Sequence, residues 1–309
     1  MATRTRTSKR RLAGPELGAG SRRVVEVIAG QQLQVAAAAR AAAEAGTEEV
    51  HQGRVAARRL RSLLKTFAPL LGTRWVRLYR VDLRSYAHVF TAVREADVVA
   101  DLLRDLVRTE ARFEGPELQR LSVAIEDGRD GARSALRRHL QEPNWAALVA
   151  ALARHSAETP PLIDRQAGFA EILRLVTDSW RKSLRLLKKS PREVSELHEL
   201  RLALKHCRYA LEAVADLKPQ AAARLLRRLR EAQDAIGEHR DSMAARHWVG
   251  LHARSIGRGA TERLTGLLEQ REKRLLRRAN RRVASVLPAY RRWRRATQAL
   301  RKEAGRARR

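Results

Sequence analysis

The sequence predicts an all-α protein, and three observations carry the prediction. Apolar residues recur at helical spacing, as in Ala56, Leu60, Leu63, Leu64 and Phe67. Seventeen glycines, nine prolines and 4% aromatics in 309 residues are too few for the turns and strands of an all-β fold. The 44% of hydrophobic residues, so arranged, bury enough surface to offset chain entropy, which excludes disorder throughout.

Taken in order, Arg22 to Ala45 reads as a first helix and Thr47 to Phe67 as a second, stopped by Pro69, with Thr73 to about Ala92 as a third. Shorter segments follow, with breaks near Gly115-Pro116, Gly128 to Gly131 and Pro143. Pro160-Pro161, close to the midpoint, reads as a linker between a half at 22–158 and a half at 162–304; residues 1–21 and 305–309 read as basic tails. Beyond the linker the expected helices are Arg165 to Lys188, then one begun at Ser190-Pro191-Arg192-Glu193. There Ser is the N-cap, Pro the first helical residue and Glu the third position of a capping box. Pro219 to Ile236, Asp241 to Ile256, Glu262 to Val286 and Pro288 to Ala304 complete the expected set.

The net charge of +30 is concentrated at the ends. Residues 1–23 carry +6 and residues 271–309 carry +14, leaving +10 for the 247 between. Arg-rich ends attract any polyanion, so weak non-specific nucleic-acid binding is expected of the tails, and a fold-specific site belongs in the middle. The single cysteine, Cys207, excludes an internal disulfide framework and reads as a small buried hydrophobe. No secretory apolar region follows the N-terminal cations. The longest apolar run, Ala146 to Ala153, is eight residues, far short of the ~20 that span a bilayer. The expectation is a cytoplasmic protein with no membrane contact.

An internal repeat points to the site. His51-Gln-Gly-Arg54-Val-Ala-Ala-Arg58-Arg59-Leu60-Arg61 aligns without a gap on His198-Glu-Leu-Arg201-Leu-Ala-Leu-Lys205-His206-Cys207-Arg208, 147 residues later. Leu83-Arg84 ahead of Arg94-Glu95 matches Leu229-Arg230 ahead of Arg240-Asp241 at an offset of 146. One duplicated helical module explains both matches. At about 100° per residue the His and the three cations of each copy occupy one arc about 80° wide. The opposite arc is apolar: Ala56, Leu60, Leu63, Leu64 and Phe67 in the first copy, Ala203, Cys207, Ala210, Leu211 and Val214 in the second.

A charged stripe opposite an apolar one is ordinary for a surface helix. A repeated His with three cations and no acid is not, because like charges along one face repel by about 0.2–0.5 kcal/mol per pair unless a counter-anion offsets them. An extended, repeatedly charged anion suits this row.

The pattern H-x-x-R-x-x-x-[RK]-x-x-R, present twice, with Arg208-Tyr209-Ala210-Leu211-Glu212 and Gly237-Glu-His-Arg240-Asp241, resembles the CHAD domain, the conserved histidine α-helical domain, over about residues 22 to 304. The resemblance implies two helical bundles, related by a pseudo-twofold axis, around a basic central cavity that binds inorganic polyphosphate. The expectation is binding without catalysis or cofactor, and whether the protein scaffolds polyphosphate granules is not decided by the sequence. It implies that His51, Arg54, Arg58, Arg61, His198, Arg201, Lys205 and Arg208 line the cavity, with Arg94 and Arg240 near its rim. The sequence departs from the pattern at Gly53, where a larger residue is usual, and at Glu95, in place of Asp. Lys65, one turn beyond Arg61, faces the expected site, whereas its match is Glu212.

Two rival readings compete with this one. Phosphoanhydride cleavage calls for metal held by clustered carboxylates, and the two stripes are nearly acid-free. Glu193, Glu196 and Glu199 suit the start of a helix. His198-Glu199 is not followed by the His of H-E-x-x-H, and His239, His247 and His252 lack i,i+4 spacing. The E-x-E-x-K triplet of the triphosphate-cleaving domains that often accompany CHAD domains is absent from the 309 residues. Sequence-specific nucleic-acid binding is disfavoured because the five tryptophans, at 75, 145, 180, 248 and 293, are scattered like core anchors rather than gathered as a stacking platform. The composition does not fix an oligomeric state.

Overall fold

A computed structural model describes residues 17–42, 47–109, 113, 115–189 and 194–300, and the described residues are helical throughout apart from short connections. The order is α1 (Ala19–Ala41), α2 (Thr47–Thr66), α3 (Thr73–Val89), α4 (Thr91–Thr109), α5 (Pro116–Leu140), α6 (Pro143–Ala157), α7 (Phe169–Asp178), α8 (Arg181–Lys189), α9 (Val194–Glu212), α10 (Pro219–Leu251), α11 (Ala253–Ile256), α12 (Arg258–Ala284) and α13 (Val286–Ala296). Single 3₁₀ turns at Ala68–Leu70 and Ala215–Leu217 follow α2 and α9. Residues 190–193 and the basic ends at 1–16 and 301–309 lie outside the described residues, so the capping box and most of both tails do too.

Several expected breaks do not occur, and one unexpected break does. The helix α5 runs through Gly128 and Gly131, and α10 runs through Gly237 as one 33-residue helix. An interior glycine costs a helix only about 1 kcal/mol, and packing supplies more than that: Ala232, Ala235, Ile236, Ala245 and Val249 of α10 are all buried. Conversely, the expected helix from Arg165 to Lys188 is split into α7 and α8. At the split Trp180 is fully buried and stacks on Tyr290, with ring centroids 4.4 Å apart. No glycine or proline marks this turn; the anchored indole sets it. The expected third helix also ends early, because the chain turns at Phe90, another fully buried ring, before α4 begins.

Pro160-Pro161 does separate two helices, yet the segment is not loose. Gly72 N–H donates to the Pro161 carbonyl (2.9 Å) and Ile163 N–H to the Leu70 carbonyl (3.0 Å), while the Ser21 hydroxyl donates to the Asp164 carbonyl (2.8 Å). The connection is thereby fastened both to the turn after α2 and to the start of α1.

The apolar stripes read from the sequence are buried as expected: Leu60, Leu64, Phe67, Cys207, Ala210 and Leu211 are fully covered. Removing the Leu and Phe side chains among them from water contributes about 1.5–3 kcal/mol each. Two hydrophobic clusters result. The larger joins α1, α2, α3, α6, α7, α9 and the first half of α10 with Tyr290 and Trp293; the smaller joins α4, α5, the end of α10 and the first half of α12. Each cluster draws on both sides of Pro160-Pro161. Trp145, Trp180 and Trp293 are core residues, whereas Trp75 and Trp248 are only partly covered. No described helix is long and apolar enough to cross a membrane.

Candidate basic pocket between four helices

Helices α2 and α9 pack directly against one another, and α4 packs on α10. Where the four meet, a pocket of about 360 Å³ opens. The cationic faces of α2 and α9 supply His51, Arg54 and Arg58 on one side and Arg201, Lys205 and Arg208 on the other; α4 adds Arg94 and α10 adds Arg240. These eight residues, on two pairs of helices, are brought together by the burial of the opposite stripes, which leaves each cationic arc only one way to face.

Three residues of the expected site fall elsewhere. Arg61, Lys65 and His198 are not part of the lining. His198 is exposed, beside Arg240, Arg201 and Lys205. Arg61 and Lys65 lie beyond Arg58 along α2, and the charges around Arg61 are those of Arg84, Arg80 and Arg58.

The pocket also holds carboxylates that the sequence reading of α2 and α9 did not anticipate. Glu95 of α4 and Asp234 and Asp241 of α10 line it, so seven cations face three acids, a net +4 with His51 neutral. Glu95 is spent on Arg240 across the pocket, Nη2 to Oε1 at 3.2 Å. Burial raises the pKa of Asp241 against the opposing pull of Arg201, Arg240, Arg94 and Lys205. Tyr209 and Gln233 complete the wall. Helical periodicity could have flagged the α10 residues, since Gln233, Asp234, Arg240 and Asp241 recur at intervals of seven, but nothing in the sequence says which neighbour that face meets.

The electrostatics are those of crowded positive charge removed from water. Burial lowers the pKa of Lys205 to about 7, with Arg201, Arg58, Arg208 and Arg240 adding to the effect. Burial and Arg58 bring Arg54 to about 10, still charged at neutral pH. Arg201 and His198 are lowered too, by partial loss of water contact and, for His198, by the charges of Arg240, Arg201 and Lys205.

Hydrogen bonding is incomplete in the same place. Arg54 Nη1 donates to Thr91 Oγ1 (3.3 Å) and Arg201 Nε to the Gln233 carbonyl (3.4 Å). Glu212 lies near Arg59 (3.2 Å) and Arg208 (3.7 Å), yet neither guanidinium Nε is aligned to donate to it. Both guanidinium groups also stand over the Tyr209 ring, at 5.5 and 4.8 Å. The buried Nε of Arg58 and both amide atoms of Gln233, a side chain only 2% exposed, have no partner among the described residues. Each buried polar atom left so costs about 1–3 kcal/mol. A ligand rich in acceptor oxygens would satisfy the donors and offset the charge together.

Two glycines fit this geometry by close approach. A Cβ on Gly237 would stand 3.1 Å from Arg201 Nη2, so the bare backbone leaves room for that guanidinium. A Cβ on Gly53 would collide with the Tyr86 hydroxyl and stand 2.8 Å from Ala38 Cβ. The departure at Gly53 is therefore a packing requirement of α2 against α1 and α3.

Among the described residues no group of three His, Cys, Asp or Glu side chains could hold a metal ion. Cys207 is buried against Ser183 Oγ (3.2 Å), and burial raises its pKa to about 12, so it is no nucleophile.

A family model described as the CHAD domain matches residues 27–250. No curated protein matches the chain. Among solved structures, PptA from Streptomyces chartreusis is similar, with a TM-score of 0.69 at 21% identity over 88% of this chain and 99% of that one. The CHAD domain from the plant Ricinus communis gives 0.68 at 23%, over 88% and 94%. These two likenesses show a shared fold.

Proposed function

The chain belongs to the CHAD-domain family, and on that premise we propose that it binds inorganic polyphosphate in the pocket between α2, α4, α9 and α10. The observation that carries this reading is the combination of seven cations around about 360 Å³ with buried, unpartnered donors at Arg58 and Gln233. A chain of phosphates has one negative charge per unit and no bases, so recognition reduces to guanidinium and ammonium contacts with oxygens. His51, Arg54, Arg58, Arg94, Arg201, Lys205, Arg208 and Arg240 are its contacts in this reading, with His198 at the edge.

The repeated order of elements supports a duplicated, pseudo-twofold pair of bundles with this pocket at the centre. The 3₁₀ turns at Ala68–Leu70 and Ala215–Leu217 keep the same 147-residue offset as the motifs. The role is binding rather than turnover, since Glu95 is engaged by Arg240 and the acids present are outnumbered by cations. In the cell the protein would reside in the cytoplasm on polyphosphate granules.

Calorimetric titration with size-defined polyphosphate, with duplex DNA of equal total charge as competitor, tests the reading. Tight binding of polyphosphate that DNA displaces poorly is expected. Equal affinity for the two would replace this reading with a non-specific polyanion surface, and phosphate release above a heat-killed control in Mg²⁺ would replace it with an enzyme.

A further inference from the structure

We infer that the cations left outside the pocket form a second anion subsite, built by Arg61 and Lys65 of α2, Arg80 and Arg84 of α3 and His206 of α9, which takes phosphates of the bound chain after it leaves the pocket. The inference rests on the polyphosphate reading and extends it along the molecule.

Three helices converge here as four do in the pocket. Arg61 lies within the field of Arg84 and Arg80, and His206 within that of Lys65 and Arg80. The two groups share one residue: Arg58 lines the pocket and is also among the charges acting on Arg61. Along α2 the cations therefore continue without interruption, Arg54, Arg58, Arg61 and Lys65, over about 16 Å of helix at 1.5 Å per residue. A chain of phosphates lying in the pocket meets this row where it emerges.

The cluster is not a solvated face with ordinary counter-charges. Among the described residues none of its cations has an ion pair, and the buried Nε of Arg61 and of Arg80 have no acceptor. The acids close by in sequence are engaged elsewhere, Asp82 with His155 at 3.1 Å and Glu212 with Arg59 at 3.2 Å. Arg61, Arg80 and His206 are half-buried, and burial together with Lys65 and Arg80 brings the His206 imidazole to about 4, neutral beside its charged neighbours. Uncompensated cations held partly out of water, with idle N–H groups, are the conditions an anion relieves.

The test compares two ligand lengths on the full chain. Arg80→Gln with Arg84→Gln keeps the side-chain stems and touches no pocket residue. Against long size-defined polyphosphate its affinity should fall at least about ten- to hundredfold, the effect of one lost charge-assisted contact. Tripolyphosphate, which occupies the pocket alone, should bind as it does to wild type. Circular dichroism checks the fold, and the exposed Arg84→Glu repeats the measurement if the double variant loses helicity.

Unchanged affinity for long chains would overturn the inference while leaving the pocket reading intact. Equal loss for both lengths would overturn it as well, because the cluster would then be acting on the pocket itself. Loss of duplex DNA binding alone would turn it into a nucleic-acid contact. Wild type that binds no polyphosphate defeats the pocket reading, and this one with it.

Discussion

The two motif helices carry the same spacing of cations, and the molecule uses them differently. On α9 the residue ten after the histidine, Arg208, lines the pocket, close to Glu212 and over the Tyr209 ring. Its match on α2, Arg61, has no such neighbours; Arg80 and Arg84 surround it and it lies outside the lining. The histidines differ in the opposite sense, since His51 lines the pocket and His198 is exposed. Four residues beyond the last cation, Lys65 extends the positive row of α2, whereas Glu212 ends that of α9 and reaches across to Arg59 of α2. Equal spacing therefore fixes which face is polar, and the neighbouring helices decide what that face meets.

The α9 side is also the more electrostatically constrained. Burial and four arginines, Arg201, Arg58, Arg208 and Arg240, bring Lys205 to about 7. Arg201 lies against the bare backbone of Gly237 with Asp241 and Asp234 nearby; its match Arg54 has Thr91 and Glu95.

If one chain of phosphates bridges the halves, Arg201→Ala with Lys205→Ala and Arg54→Ala with Arg58→Ala should each weaken long-chain affinity by about two to four decades, at about 1.5–3 kcal/mol per lost contact. Titration of both pairs on folded protein checks this; one silent pair would confine the ligand to a single half. In stability the largest contrast is at the position before the first motif arginine. Gly53→Leu, which copies the fully buried Leu200 of the second half, should destabilise by about 1–3 kcal/mol or more through overpacking against Tyr86 and Ala38. Urea unfolding measures it, and an unaffected midpoint would show that α2 can shift away from α1.

Lys205 gives the α9 side of the pocket a pH dependence. The ligand needs the ammonium form, so affinity should fall as pH rises above about 7, by up to roughly tenfold per unit for one coupled proton. Proton uptake on binding, read from calorimetry in buffers of different ionisation enthalpy, should vanish in Lys205→Arg. For the empty protein the sign reverses. The folded state binds fewer protons than the unfolded one between about 7 and the ordinary 10.5, so stability rises with pH across that window.

Smaller effects follow at the two α10 contacts. Gly237→Ala should leave thermal stability unchanged or raised by up to about 1 kcal/mol, while lowering affinity severalfold, because the new methyl displaces the Arg201 guanidinium rather than backbone. Glu95→Gln should raise affinity by about two- to fivefold by freeing Arg240. It should cost less than about 1 kcal/mol of stability, since both side chains of that ion pair are half exposed. Tighter binding in Gly237→Ala, or weaker binding in Glu95→Gln, would reverse the roles given to these neighbours.

The sequence by itself determined the helical class, the two amphipathic helices and the cations on their polar arcs. Each of these is a local property: a period of 3.6 residues places Arg54 and Arg58, or Arg201 and Lys205, opposite Leu60 or Cys207 whatever else the chain does. Tertiary structure decided the rest. Whether Gly128, Gly131 and Gly237 break their helices depends on packing worth more than the roughly 1 kcal/mol each glycine costs, and the break at Trp180 depends on Tyr290, more than a hundred residues away. Which cations share a pocket and which fall to a second cluster, and that Gln233 and Asp241 join the first, follow from the packing of α4 against α10 and of α2 against α3 and α9. Those contacts are between residues far apart in the chain, and periodicity gives the direction of a side chain relative to its own helix but not the identity of the surface it meets.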